Sequence, residues 1–230
     1  MLDVYRIERQ FTSYKFYLFL LTASLIGSSL SLLFFRIVGV TRVDHLNFLV
    51  SDLTVAVTCA VLTAGCVIAS AAHYAHTIIP AYSGEGRVIT YAWPFGRAPL
   101  FLVKNAIIWF GTFLATWIGM SVPLIPYALL TGAGFRLQAL ASMLIEAFGV
   151  AILSASISII SGLIGLLRSS GVAAIVAAIV LGSIAANSFA NSGAKGWTIV
   201  IEIGTCLAFA ITALCAIINK AHRITNEDVI

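Results

Sequence analysis

IPAYSGEGRVITYAWPFGRAPLFLVK, residues 79–104, is the stretch on which the reading of this chain turns. It holds three of the chain's five prolines together with Glu85, Arg87, Arg97 and Lys104, and it separates two long apolar runs. Such a segment is too polar for hydrocarbon and longer than a simple connection between helices needs. The sequence on either side of it reads as membrane. Of 230 residues, 60% are hydrophobic and 10% charged, against about a quarter charged in an ordinary soluble domain.

A helical span takes about 20 mostly apolar residues, so the chain has room for six or seven spans and for no soluble domain of any size. A catalytic domain outside the bilayer is thereby excluded. The formal charge of +4 does not mark a nucleic-acid binder, because the basic residues sit at span ends, where headgroups and the positive-inside rule account for them. Cys59, Cys66, Cys206 and Cys215 lie in apolar runs without a Cys-x-x-Cys pair, which signals neither a disulfide framework nor a zinc site.

Outward from the arm, the apolar runs predict an all-α, polytopic membrane protein formed as a single transmembrane domain over residues 1–230. Six transmembrane helices are expected, at residues 16–35, 53–78, 105–130, 139–167, 171–189 and 197–218. Ahead of them, Tyr5, Ile7 and Phe11 mixed with Arg6, Glu8, Arg9 and Lys15 suit an N-terminal interfacial helix. Pro123 and Pro126 are expected to bend the end of the third span. With six spans both termini share a side, and that side, with the arm, carries Arg6, Arg9, Lys15, Arg87, Arg97, Lys104, Arg168, Lys220 and Arg223 against only Arg36, Arg42, Arg136 and Lys195 opposite. Both termini and the arm are therefore expected in the cytosol, the chain being multi-pass in a bacterial plasma membrane.

Few residues inside the spans carry chemistry. Glu146 falls well inside the fourth span and Glu202 about one turn inside the sixth, and an ionised carboxylate near the bilayer centre costs on the order of 2.5 to 3.5 kcal/mol. Glu146 either lines a translocation path or faces a helix interface near the outer surface; for Glu202, five residues after the boundary marker Trp197, the interfacial reading is preferred. His73 and His76 share a helix face, but two imidazoles without a third ligand read as a span end rather than a metal site. Ser154, Ser156, Ser158 and Ser161, among Gly149, Gly162 and Gly165, permit close helix approach and interhelical hydrogen bonds. No Gly-x-Ser-x-Gly or His-Glu-x-x-His motif accompanies them, and no Gly-x-x-x-x-Gly-Lys-Ser/Thr loop is present to cradle a nucleotide.

Within the arm, Gly84, Glu85 and Gly86 lead to Val88, Ile89 and Tyr91, then Trp93, Pro94, Phe95, Gly96 and Arg97, with Lys104 seven residues on. This resembles the cytosolic segment between the second and third spans of type 2 ABC-exporter permeases. SGLIGLLRSSGVAAIVAA, residues 161–178, is similar to the small-residue span, basic-serine turn and alanine-rich span late in the same proteins. One departure is that Gly86 is followed by Arg87, where many exporters carry a Gly-Thr pair. The resemblance implies the membrane subunit of an ATP-driven exporter, with amphipathic or antimicrobial peptides as the leading substrates, for export or immunity. It implies no catalytic activity and no cofactor in this chain, ATP and Mg being held by two copies of a cytosolic ABC ATPase. It also implies a second permease chain, met through the first and fifth spans, in contact with membrane lipids. Glu85, Gly86, Tyr91, Trp93, Pro94, Phe95 and Arg97 would couple to the ATPase. The residues themselves fit a coupling helix, since Pro94 and Pro99 break the arm into rigid pieces while the aromatic run offers apolar contact area. Two other classes of function stay open: a scaffold for assembling another membrane complex, and a small secondary transporter in which Glu146 carries protons.

Overall fold

The computed structural model describes residues 14–37, 53–83, 97–130, 137–192 and 197–227. All its elements are helices, with no strand among the described residues. In chain order they are α1 (Tyr14–Ile37), α2 (Leu53–Thr77), α3 (Ile79–Tyr82), α4 (Arg97–Leu130), α5 (Leu137–Leu167), α6 (Gly171–Ser192) and α7 (Trp197–Glu227). The expected interfacial helix and the centre of the arm, residues 84–96, lie outside the described residues.

Among the described residues, five stretches are long and apolar enough to cross a membrane: Tyr14–Phe34, Val57–Tyr82, Ala98–Leu130, Met143–Leu167 and Gly204–Ile224. The expected fifth span corresponds to α6, whose described apolar stretch, Gly171–Asn187, is shorter. The described residues are thus all-helical, with five helices long and apolar enough to span a membrane and one shorter apolar helix, as suits a membrane-embedded protein.

Two boundaries differ from the sequence reading. The third span was expected to start at Asn105, but α4 begins at Arg97 and takes in the last eight residues of the arm. Pro99 does not break the chain there. It occupies the first turn of α4, where its missing N–H would have had no intrahelical partner and its fixed φ favours the helix. The sixth span was expected to stop at Ile218, yet α7 continues to Glu227 because Ala221 and Ile224 prolong its buried stripe. At about 1.5 Å per residue, α4 and α7 are each close to 50 Å long and overrun a hydrocarbon layer of about 30 Å.

The central post is α5, which packs against α2, α4, α6 and α7, while α1 lies outside it against α4 and α2. On α5, every residue from Leu153 to Ile159 is buried, serines included. Small residues set how closely its neighbours come. A methyl group added at Gly162 would overlap the Tyr74 ring, and one at Gly165 would meet Ala174 of α6 and Ile79 of α3. The same device joins α1 to α4. Gly119 leaves room for Ser24, and the Ser24 and Ser28 hydroxyls then donate to the carbonyls of Ala115 (3.1 Å) and Gly119 (2.9 Å).

The turn from α5 to α6 is closed by its own backbone. Ser169 adopts φ 49°, the amide of Ser170 donates to the Gly165 carbonyl at 2.9 Å, and that of Ser169 donates to the Leu166 carbonyl at 3.2 Å. Together these form the paired C-terminal bonds of a Schellman motif. Ser170 then caps α6 by accepting from the Ala173 amide at 3.3 Å.

The small-residue face of α6 is occupied inside the chain. Gly182 lies against Val67 and Gly171 against Ala75 of α2, with Ala174, Ala178 and Ala185 buried alongside. The alanine-glycine face of α6, the expected fifth span, is therefore taken up by α2. The outward face of α6 carries Val172, Val176, Val180 and Ile184 instead.

Candidate functional site

The described ends of the arm meet in one buried cluster. Tyr74 in the last turn of α2, Ile78 just beyond it, Ile79 in α3, Phe101 and Ile108 in α4, Ile159, Leu163 and Leu166 in α5, and Ala221 and Ile224 in α7 belong to a single apolar core. Tyr74, fully buried, donates from its hydroxyl to Asn105 Oδ1 at 3.0 Å, and Asn105 Nδ2 donates to the Phe101 carbonyl one turn earlier at 2.8 Å. Buried polar groups are costly unless paired. This pair satisfies both side chains and holds α2 and α4 in one relative position. Around it, the Tyr82 ring meets Phe101 edge-on, with centroids 5.2 Å apart, and Lys104 Nζ stands 6.0 Å from the centre of the Tyr82 ring, at the limit of a cation–π contact. Ser83 ends α3 by donating to the Ile79 carbonyl from both its amide (2.8 Å) and its hydroxyl (2.6 Å).

Of the expected coupling residues, Glu85, Gly86, Tyr91, Trp93, Pro94 and Phe95 lie outside the described residues. Arg97 is the first residue of α4, its side chain being likewise outside the description. Glu146 lies in α5 at 8% exposure and is not without a partner. Its helix neighbours Met143, Ala147 and Val150 belong to a second core, toward the end of the bundle away from the arm, where α2, α4, α5, α6 and α7 meet. The backbone of Glu202 is helical in α7, and its side chain is outside the description.

The two histidines part company. His73 stacks on Phe16 of α1 with centroids 3.9 Å apart and planes 3° apart, with Tyr17 edge-on to it, whereas His76 is exposed. Among the described residues no group of three His, Cys, Asp or Glu side chains could hold a metal ion. Cys59, Cys66 and Cys206 are buried, Cys215 is exposed, and all four are free thiols.

The α5 serines are all buried, and Ser156 Oγ accepts from Trp109 Nε1 of α4 at 3.3 Å. Ser158 and Ser161 donate to carbonyls of α5 itself. These serines therefore act mainly as small side chains that admit neighbouring helices.

Tyr74 and Asn105 were passed over in the sequence. The available signal was a polar residue close to each end of the arm, at the end of one apolar run and the start of the next. The arrangement contains no nucleophile–base pair, and what it offers is a mechanical link between the arm and the helices on either side of it. No protein-family model, curated protein or solved structure matches the chain.

Proposed function

We propose that this chain is the membrane-spanning permease subunit of an ATP-driven ABC exporter that receives mechanical work through the arm. The observation that carries the reading is the joint anchoring of the arm's two ends in the core built around Tyr74, Asn105, Phe101 and Ile79. A push on residues 84–96 would reach α2 and α4 together. Through Gly162 and Gly165, which allow Tyr74 and Ile79 to rest directly on α5, it would also reach the central post.

In this reading the chain crosses the plasma membrane six times, α6 completing the set, with both termini and the arm in the cytosol. Two copies of an ATPase subunit hold ATP and Mg, and a second permease chain completes the path. Amphipathic or antimicrobial peptides are the substrates that the sequence resemblance suggests. The test is co-purification with an ATPase and measurement of substrate-stimulated hydrolysis. Glu85→Ala and Arg97→Ala should each lower complex yield or stimulated hydrolysis by roughly tenfold, as expected for losing about 1 to 3 kcal/mol at a partly buried contact, while membrane insertion stays normal. Unchanged assembly and hydrolysis in both variants would remove the arm as the coupling element.

The second reading, a proton-coupled transporter, is favoured by one observation: a carboxylate, Glu146, buried deep in the bundle. Transport driven by a proton gradient without nucleotide, and lost in Glu146→Gln, would support it against the first.

A further inference from the structure

His73 sits where α1, α2 and α4 meet. Its ring lies flat on Phe16 of α1, with centroids 3.9 Å and planes 3° apart, and the Tyr17 ring stands edge-on to it at 5.6 Å. Tyr17 in turn rests on Gly111 of α4, where a side chain would collide with the ring. His73 Nε2 and the Tyr17 hydroxyl are both buried, and neither has a hydrogen-bond partner among the described residues. One turn deeper, Ser70 and Thr112 pair with one another at 3.2 Å. Among the described side chains the one carboxylate is Glu146, toward the opposite end of the bundle. Of the other titratable groups at this end, Tyr14 and Lys15 of α1 and His76 of α2 are exposed, Tyr74 of α2 faces the arm-side core, and Lys104 of α4 stands over Tyr82.

A neutral imidazole fits this place, because it can leave Nε2 without a proton. An imidazolium carries an N–H on both nitrogens. Here the one at Nε2 would be buried with no acceptor, and the charge would lie within the apolar stretch Val57–Tyr82 without a counter-ion among the described side chains. The Phe16 face attracts a cation, but a ring stacked parallel to it directs neither N–H at it. We propose that His73 is an acid-operated release for the arm-side end of α1, which docks on the neutral imidazole and is freed by its protonation. Among the described residues α1 contributes nothing to the arm-side core, so it can lift without unmaking that core, while Ser24 and Ser28, bonded to α4, hold it farther along. Tyr74, the next residue after His73, anchors the arm, which puts the proton site within one turn of the arm's base. The released ring titrates in the ordinary imidazole range, about 6.5, so docking is unaffected by pH above that range and weakens as pH falls through it. The switch is independent of the transport reading and needs only the packing of α1, α2 and α4.

The chain carries its own probes. Cys66 lies with Leu20 and Ala115 in a small buried cluster against which Phe16 packs, so its thiol is uncovered when α1 lifts. Cys215 is exposed, and Cys59 and Cys206 are buried in the far core. The test labels the full chain in nanodiscs with N-ethylmaleimide at pH 7.5, 6.5 and 5.5 and follows each cysteine by peptide mass spectrometry. Dividing by Cys215 removes the reagent's own pH dependence. The ratio of Cys66 to Cys215 labelling should rise about tenfold from pH 7.5 to pH 5.5, while Cys59 and Cys206 stay protected. His73→Phe, which keeps a ring against Phe16 but takes up no proton, should hold the ratio flat. His73→Gln is a second variant that does not titrate and should do the same, whereas His76→Gln should leave the rise unchanged; thermal melts would establish that each variant is folded. A flat ratio in the wild-type chain, a rise that survives in His73→Phe or His73→Gln, or exposure of Cys59 and Cys206 together with Cys66 would each overturn the proposal.

Discussion

The core at the arm side and the core at the opposite end of the bundle are built from different material. Around the arm, Tyr74 and Asn105 are buried and hydrogen-bonded, Tyr82 packs edge-on to Phe101, and Gly162 and Gly165 bring backbone against side chain. At the far end the core is mainly aliphatic and sulfur-containing, with Leu32, Val55, Cys59, Leu62, Met120, Leu124, Met143 and Val150 beside one buried phenol, Tyr127, and its glycine contacts, Gly182 with Val67 and Gly149 with Cys206, are at ordinary van der Waals distance. Aliphatic and sulfur side chains such as these can repack at little cost. Directional hydrogen bonds and glycine contacts cannot, because each admits only one helix position. The difference suits a bundle held stiffly where the arm joins it and more adaptable at the other end.

The harshest way to break this contrast is to add volume at the stiff end. Gly162→Val should cost about 3 kcal/mol, near the upper end of ordinary overpacking, because its side chain meets the Tyr74 ring. Gly204→Val, with open space around it, should lie within about 0.5 kcal/mol of the parent. Unfolding in a denaturing detergent titration would measure both, and equal costs would end the idea of a locked arm side. Next in size, Tyr74→Phe keeps the ring but leaves Asn105 Oδ1 without its donor. A loss of about 1 kcal/mol is expected, within the measured range for interhelical bonds in membranes, and the same titration would resolve it. The smallest effect belongs to the far core, where Met143→Leu conserves volume and should cost about 0.5 kcal/mol. If it costs more than Tyr74→Phe, the far core is the more exacting of the two.

Much of this architecture could be read from hydropathy, since the apolar runs fix the existence of every long helix and place α2, α5 and α6 to within a few residues. The errors came where a local signal was given its commonest meaning. Pro99 reads as a breaker, yet the first turn of a helix accepts proline. Lys220, His222 and Arg223 make the segment after residue 218 too polar to read as span, while Ala213, Ile217, Ala221 and Ile224, spaced four, four and three apart, carry one helical face past them. The small face of α6 was legible, but its direction was not: glycine and alanine permit close approach to any neighbour, and only packing assigns them to α2. Tyr74 and Asn105 pair across the arm, over a separation that periodicity within a single helix does not span. Six crossings, the arm's centre and the coupling residues rest on sequence, whereas the buried position of Glu146 is visible only once α5 is surrounded.

The turn at Arg168, Ser169 and Ser170 bears on how the protein is made. Because it ends α5 and caps α6 within three residues, the two helices form a hairpin with little backbone left unpaired, suited to entering the bilayer as a unit. Its second member, the shorter apolar helix, then has to find α2, which is synthesised well before it. Until that docking, Val67 and Ala71 of α2 lack the neighbour that covers them in the finished bundle. The slot for α6 is thus completed late in synthesis, and a nascent chain stalled inside the hairpin would present an open flank to membrane quality control.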